Sequence, residues 1–269
     1  MNILTITDPE FAQLRRILYQ TAGISLSDAK KTLVVGRLNK RLQLGNHASF
    51  TTYLRNIASG DADELRIMVD LLTTNETYFF REHKHFELLR HHVLTRPNPK
   101  APFSVWSAAS SSGEEAYTIA MVLMDALGPD VPWEIIGSDI STRILDRART
   151  GHYAMERAKN IPKEFLRKYC LKGVREHEGT LLMTQEIRSR VQFRYLNLIE
   201  PLPDKIGPFD FIFLRNVMIY FDMDTKRKVV ASLSTKLRRG GYFLVGHSES
   251  LTGINDSLIS ERPATYRKP

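Results

Sequence analysis

Four short segments carry side chains whose types and spacing suit ligand chemistry. The first is Val105-Trp106-Ser107-Ala108-Ala109-Ser110-Ser111-Ser112-Gly113-Glu114-Glu115. An apolar strand runs into tiny residues and then into a helix, the crevice where doubly wound sheets bind ligands, and small side chains let a ligand approach the backbone. Gly113 is its only glycine, so it is not a G-x-G-x-x-G phosphate loop. Glu114 and Glu115 would repel a pyrophosphate and suit an uncharged or cationic ligand part, although acids at a helix N-terminus are also explained by the macrodipole. The second segment, Ile135-Ile136-Gly137-Ser138-Asp139-Ile140, places a carboxylate at the end of a second strand. A carboxylate there can accept both hydrogen bonds of a ribose diol, and the alternative is an N-cap for a helix starting near Ser141. In the third, Arg215 and Asn216 leave the apolar strand Phe211-Ile212-Phe213-Leu214 at its carboxyl end, whereas Tyr220 and Phe221 suit a core equally well. The fourth, Thr73-Thr74-Asn75-Glu76-Thr77-Tyr78-Phe79-Phe80-Arg81-Glu82, sets hydroxyl and amide groups before an aromatic cluster and one arginine. Its bland alternative is a capped helix start with an Arg81–Glu82 surface pair.

Metal and triad chemistry find less support. His83 and His85 lie two apart, as do no chelating ligands on one helix face, and His91-His92 has the same fault. With a single cysteine there is no thiolate pair, so no metal site is expected. No Ser–His–Asp order with an oxyanion motif is present either.

The elements that position these segments fall into two textures. From Phe11 to about Leu94 the periodicity is helical: Asp8-Pro9-Glu10 opens a first helix, and further helices fit Asp28 to Leu44, Ser49 to Ile57, Asp61 to Leu72 and Arg81 to Leu94. Three prolines between Thr95 and Pro102 mark a linker. Strand and helix then alternate: strands at Phe103–Ala108, Trp133–Gly137, Phe209–Leu214 and Tyr242–Val245, and helices at Gly113–Leu127, Ser141–Arg149 and Asp224–Leu237. That order predicts an α/β fold with a mostly parallel, Rossmann-like sheet. Gly151 to Asn197 breaks the rhythm, and its alternating Leu181, Met183, Val191, Phe193 and Tyr195 read as a small inserted antiparallel β-subdomain. The expected division is therefore an all-helical domain over 1–94, a linker over 95–102, and an α/β domain over 103–269 with an insert over about 151–196.

The chain has 42% hydrophobic and 25% charged residues, which fits a buried core and excludes disorder. One cysteine, Cys170, excludes an intrachain disulfide. No stretch has the unbroken apolar length of a membrane span, and Met1-Asn2-Ile3-Leu4-Thr5 lacks a secretory n-region and h-region, so a cytoplasmic location is expected. The net charge of +8 implies either an acidic partner or a generic basic surface. On a helix over Asp28–Leu44, Val34, Val35, Leu38 and Leu42 gather on one side, and Lys30, Arg37, Lys40 and Arg41 on another. Such a basic face is a solvated surface or a docking site for an acidic helix.

Taken in order, these segments resemble the CheR family, the methyltransferases that esterify glutamates on bacterial chemoreceptors. The resemblance rests on Thr73 to Glu82, Val105-Trp106-Ser107-Ala108-Ala109 leading to Gly113-Glu114-Glu115, Ser138-Asp139-Ile140, Tyr195-Leu196-Asn197-Leu198, Phe213 to Phe221 and Gly246-His247-Ser248-Glu249-Ser250. Ala116 stands where the family usually has proline, and Ser110-Ser111-Ser112 stands where Cys or Ala and Thr are more familiar. The resemblance implies S-adenosylmethionine as cofactor and no metal. It implies that Asn75, Thr77 and Arg81 contact the cofactor, with Arg81 near the methionyl carboxylate. Glu115, rather than Glu114, lies in the glycine turn, and Asp139 takes the ribose hydroxyls. Asn197, Leu198, Arg215 and Asn216 border the adenine and methionine ends, and Tyr220 stands near the transferred methyl. Arg37, Lys40 and Arg41 would then face the receptor's cytoplasmic helices, and the insert would hold a receptor C-terminal tail; neither nucleic acid nor membrane insertion is implied. The implied reaction is in-line attack of a glutamate carboxylate on the sulfonium methyl. Rival readings are an NAD-dependent oxidoreductase, which lacks the glycine fingerprint, an RNA methyltransferase, which lacks an aromatic RNA-binding motif, and a non-catalytic receptor-binding module.

Overall fold

Thr7 rather than Asp8 caps the first helix, α1 (Asp8–Ala22): its hydroxyl accepts from the Glu10 N–H and the Glu10 side chain returns to the Thr7 backbone. Gly23, at φ 68°, ends the helix in the left-handed region that favours glycine. A computed structural model of the chain describes residues 4–269, so the first three residues of the segment read for a secretory signal lie outside the described residues. A 3-10 turn at Asp28–Lys30 then leads into α2 (Lys31–Leu44), followed by α3 (Phe50–Ala58) and α4 (Ala62–Leu72). Ser49 caps α3 and Asp61 caps α4, each accepting an N–H from three residues on. Val34, Leu38 and Leu42 are buried as the periodicity predicts, while Val35 is only half-buried.

The basic face of α2 is not a row of free cations. Arg37 donates to the carbonyls of Leu72 and Thr73, capping the end of α4, and to the Thr74 hydroxyl. Arg41 grips both oxygens of Glu64, a carboxylate only 6% exposed. Lys31 pairs with Asp8 at 2.6 Å, and Lys40 is exposed.

The chain divides into two compact units, one of residues 1–74 with Tyr220–Thr225 and one of Asn75–Ile219 with Lys226–Pro269. The expected boundary at 94–103 is therefore displaced: α5 (Lys84–Thr95) belongs to the second unit, where it packs on α6 (Glu114–Leu127). Helical texture alone had grouped it with the helices before it. The second unit continues through β1 (Phe103–Ser107), α6, β2 (Trp133–Asp139), α7 (Thr142–Thr150), β3 (His152–Ala154), α8 (Lys163–Tyr169), β4 (Cys170–Lys172), β5 (Thr180–Met183), α9 (Gln185–Arg188) and β6 (Val191–Tyr195). It closes with β7 (Phe209–Leu214), the part of α10 (Met223–Thr235) from Lys226 onward, β8 (Leu237–Val245), β9 (Ile259–Arg262) and β10 (Thr265–Arg267).

Among the described residues the main sheet has the order β6-β2-β1-β7-β8-β10-β9. It is parallel from β6 to β8 and antiparallel at β10 and β9. Every residue of β1 is buried, as a strand covered on both faces requires. The chain runs outward from β1 to β2 and β6, then returns to β7 on the other side, so the order reverses beside β1 and opens a crevice at the strands' carboxyl ends. The insert is smaller than expected. Its sheet is β3-β5-β4, and the Val191–Tyr195 run instead extends the main sheet, pairing in parallel with Ile135–Asp139. Gly137 permits this close packing, since a Cβ there would meet the Phe193 ring at 2.7 Å.

The Arg41–Glu64 pair makes the first unit sensitive to acid. Arg41 holds the Glu64 carboxyl below its ordinary 4.5 against the opposing effect of burial. A depressed carboxyl contributes stability that is present above its unfolded pKa and lost as pH falls through the folded value. Urea denaturation of the full chain at about pH 7 and about pH 4 should therefore show a larger loss for the wild type than for Arg41→Met, which forfeits the pair at both. At neutral pH the variant should lose up to about 3 kcal/mol, because the partner carboxylate stays buried.

Candidate active site

The turn after β1 is built by hydrogen bonds that only small polar residues allow. The Ser111 N–H donates to Asp139 Oδ2 at 2.9 Å, and its hydroxyl donates to the Asn75 carbonyl at 3.0 Å. The Ser110 N–H donates to the Ser138 carbonyl at 2.8 Å. Gly113 takes φ 95°, and a Cβ there would lie 3.0 Å from both the Ala148 methyl and the Tyr153 hydroxyl. Asp139 is buried, and its Oδ1 accepts from the Ser141 N–H at 3.0 Å. It does not cap α7; Ser141 does, accepting from the Ile144 N–H. The carboxylate is thus fixed at the end of β2 by two backbone donors.

The two acids opening α6 are both matched. Glu114 is fully buried, ion-paired with Arg157 and accepting from the Ser112 hydroxyl at 2.6 Å. Glu115 accepts from Ser107 Oγ at 2.7 Å and pairs with Arg215 at 2.7 Å. Repulsion of a pyrophosphate, expected from the bare pair of acids, loses its force once each is neutralised by an arginine.

Arg215 is the centre of the crevice's charges. Its guanidinium joins Glu115 to Glu82 at 3.0 Å, donates to the Arg81 carbonyl, and lies over the Phe86 ring at 5.5 Å. Burial would raise the Glu82 carboxyl, but Arg215 and the His247 N–H outweigh it and hold it below its ordinary value. Asn216, at φ 57°, turns the chain after β7; its N–H donates to Glu249 at 2.8 Å, and Glu249 also accepts from the Gly246 N–H at 2.7 Å. Arg81 has the opposite character. It is half-buried, donates to the Glu76 carbonyl at 3.0 Å, stacks over Tyr78, and makes no ion pair among the described residues. The alternative of an Arg81–Glu82 surface pair therefore fails, because Glu82 belongs to Arg215.

The remaining expected residues divide between the units. Asn75 and Thr77 flank this segment through their carbonyls, bound by Ser111 and Arg157. Asn197 and Leu198 follow β6 and are buried, with the Asn197 amide donating to Glu200 and Leu196 tied to the Asp139 carbonyl. Tyr220 falls in the first unit, where its carbonyl accepts from the Ser25 N–H, as do Arg37, Lys40 and Arg41. Glu82, Arg157 and Glu249 received no role from the sequence. Their signal is weak, because the partners that give Glu82 and Arg157 a role lie far along the chain.

Glu82, His85 and His247 bring three metal-type ligand atoms within 4.8 Å of one another. Arg215 already sits on the same Glu82 oxygen. A divalent cation would have to displace that guanidinium from Glu82. Burial and the nearby Arg215 push His85 down to about 3, so it is neutral at physiological pH.

Residues 75–266 match the family described as CheR methyltransferase, SAM binding domain, and residues 9–73 match CheR methyltransferase, all-alpha domain. The chain belongs to the CheR methyltransferase family. It is 41% identical to chemotaxis protein methyltransferase 2 of Pseudomonas aeruginosa, over 97% of this chain and 93% of that protein. It is 40% identical to the chemotaxis protein methyltransferase of Escherichia coli, over 98% and 92%. The Salmonella typhimurium protein of the same name is 38% identical over 93% and 87%. The family's cofactor, S-adenosylmethionine, fits the residues present in the CheR crevice: a fixed carboxylate at the end of β2, a cation at Arg81 with no acidic partner among the described residues, and a turn of small residues in place of a phosphate loop.

Replacing Asp139 by asparagine should weaken S-adenosylhomocysteine binding by about tenfold or more, since the charge is lost and one of two acceptor oxygens becomes an NH2 donor facing a backbone N–H. Calorimetry on the folded variant checks this; unchanged affinity would remove Asp139 from the ribose site.

Proposed function

We propose that this chain transfers a methyl group from S-adenosylmethionine to glutamate carboxylates on the cytoplasmic helices of bacterial chemoreceptors, and that it does so in the cytoplasm. The observation that carries the reading is the Asp139 carboxylate, held at the end of β2 by the small-residue turn after β1. The names of the relatives, chemotaxis protein methyltransferases, support the substrate. No helix among the described residues is long and apolar enough to cross a membrane.

When bound, the cofactor supplies a sulfonium methyl open to in-line attack. Asp139 accepts from the ribose hydroxyls, and Arg81 pairs with the methionyl carboxylate. Glu115, Asn75, Thr77, Asn197, Leu198 and Asn216 line the remainder, and Arg215 holds that lining by joining Glu82 to Glu115. A substrate glutamate, with a pKa of about 4.3, is already ionised, so no general base is required. Orientation is the main source of rate and is worth up to about 7–11 kcal/mol. The reaction cancels an anion against a cation, so exclusion of water assists it.

Labelled cofactor and a receptor cytoplasmic fragment test the reading directly. Label should enter the fragment and be released by mild base, as esters are and methylamines are not. Stable label, or none, overturns it.

Receptor docking is assigned to the α2 face bearing Arg37, Lys40 and Arg41. Arg37 and Arg41 are committed to α4 and Glu64, so their reversal would damage the fold as well as any docking. Exposed Lys30 and Lys40 give the cleaner test. Reversing both to glutamate should raise the KM for receptor, most strongly at low salt, where exposed charges are least screened. A normal KM places docking elsewhere.

The insert is assigned to a receptor's C-terminal tail. β4 is an edge of the three-stranded sheet and Leu171 on it is exposed, which suits an added peptide strand. Receptor fragments with and without the tail should differ in affinity; equal binding removes the tether.

A further inference from the structure

Arg157 lies in a 3-10 turn (Met155–Ala158) between β3 and α8, within the insert, yet its guanidinium reaches three points on the crevice. It donates to the Thr77 carbonyl at 2.9 Å, lies 3.5 Å from the Ser112 hydroxyl, and pairs with Glu114, whose carboxylate is fully buried. Tyr153, from β3, reinforces the same seam: its hydroxyl donates to the Ser112 carbonyl at 2.7 Å and its ring meets Phe79 edge-on at 5.1 Å. Ser112 belongs to the turn after β1, and Thr77 and Phe79 to the segment that presents Arg81. The two crevice walls are therefore not bonded to each other alone; the insert stands behind both.

We propose that Arg157 is a positioning residue for cofactor binding: its ion pair with Glu114 and its bond to Thr77 fix the spacing between the β1 turn and the Asn75–Arg81 segment. Arg157 touches neither cofactor nor substrate. Its effect passes through Ser112, Glu114 and Thr77. Without it, a buried carboxylate loses its counter-charge at the entrance to α6, and that helix start must shift. The insert thus has a part in the cofactor site that is separate from any peptide it holds. The inference rests on the methyltransferase reading, and the wild-type control separates the two: a wild-type chain that fails to bind S-adenosylhomocysteine defeats that reading, not this one.

Three variants of the full chain test it: Arg157→Gln, Arg157→Lys, and Arg157→Gln combined with Glu114→Gln. Arg157→Gln should raise the calorimetric Kd for S-adenosylhomocysteine and the KM for S-adenosylmethionine by about tenfold or more, the scale of effect when a supporting contact lets a site shift. The kcat at saturating cofactor should stay within about twofold of wild type, because no reacting group is lost. Arg157→Lys, which keeps the charge opposite Glu114, should recover a large part of the affinity. The double variant should bind more tightly than Arg157→Gln, because it no longer buries an unpaired carboxylate. If Arg157→Gln lowers the Tm yet binds S-adenosylhomocysteine within about twofold of wild type, Arg157 only stabilises the fold and the proposal is overturned. It is equally overturned if kcat falls while KM does not, or if neither Arg157→Lys nor the double variant improves on Arg157→Gln. Should Arg157→Gln fail to fold, the double variant decides the matter against wild type: it lacks the Arg157 bond to Thr77, so S-adenosylhomocysteine affinity within about twofold of wild type overturns the proposal.

Discussion

Arg215 has a side chain only 2% exposed, and a guanidinium removed that far from water is stable only where its charge and donors are matched. Glu82 and Glu115 supply the charge, and the Arg81 carbonyl takes a further donor. These partners come from the segment before α5 and from the start of α6, while Arg215 itself leaves the end of β7. One side chain therefore fixes three stretches that are remote in sequence. The crevice exists as a crevice because this cation has nowhere else to go. The same logic explains two of the acids at the carboxyl ends of the strands: Glu82 and Glu115 are counter-charges for a buried arginine.

Arg81 and Arg215 look alike in the sequence and behave in opposite ways. Both lie in segments whose polar residues follow or precede apolar runs, and the resemblance to the CheR family places both at the cofactor. In the structure Arg215 is committed to two carboxylates, whereas Arg81 has carbonyl and ring contacts but no acid among the described residues. Which of two arginines keeps an unmatched charge depends on carboxylates far along the chain, and no local pattern encodes that.

What was legible follows the range of the interaction that decides it. The strands Phe103–Ser107 and Phe209–Leu214 and the helix Glu114–Leu127 are local matters of unbroken apolar runs, caps and breakers, and they stand close to where the residues put them. Asp139 at the end of β2 is similarly local, and its backbone donors explain why an acid is tolerated there while buried. The alternation of Val191, Phe193 and Tyr195 is legible as a strand, but alternation reports one covered face and not the partner. The partner is β2, chosen because Gly137 leaves room for Phe193. The helix Lys84–Thr95 looks like the helices before it and packs with those after it. The hairpin of Ile259–Arg262 and Thr265–Arg267 escaped notice because its outer strand is exposed throughout, so no apolar period marks it.

Backbone strain gives the last step. Phe80, Glu82, Ser111 and Asn216 all take positive φ, a conformation that is common enough for asparagine and costly for phenylalanine. Strained residues of this kind cost about 1–3 kcal/mol each and persist only where their surroundings over-determine them. Each of the four has such a clamp. The Phe80 N–H donates to the Thr118 hydroxyl, Glu82 is held by Arg215, Ser111 is bonded to Asp139 and to the Asn75 carbonyl, and the Asn216 N–H is held by Glu249. Arg81 lies between two of them. Its backbone is therefore fixed on both sides, and its carbonyl is bound by Arg215, while its charge is left without an acidic partner. A cation presented in that way has little backbone freedom left to lose on binding an anion.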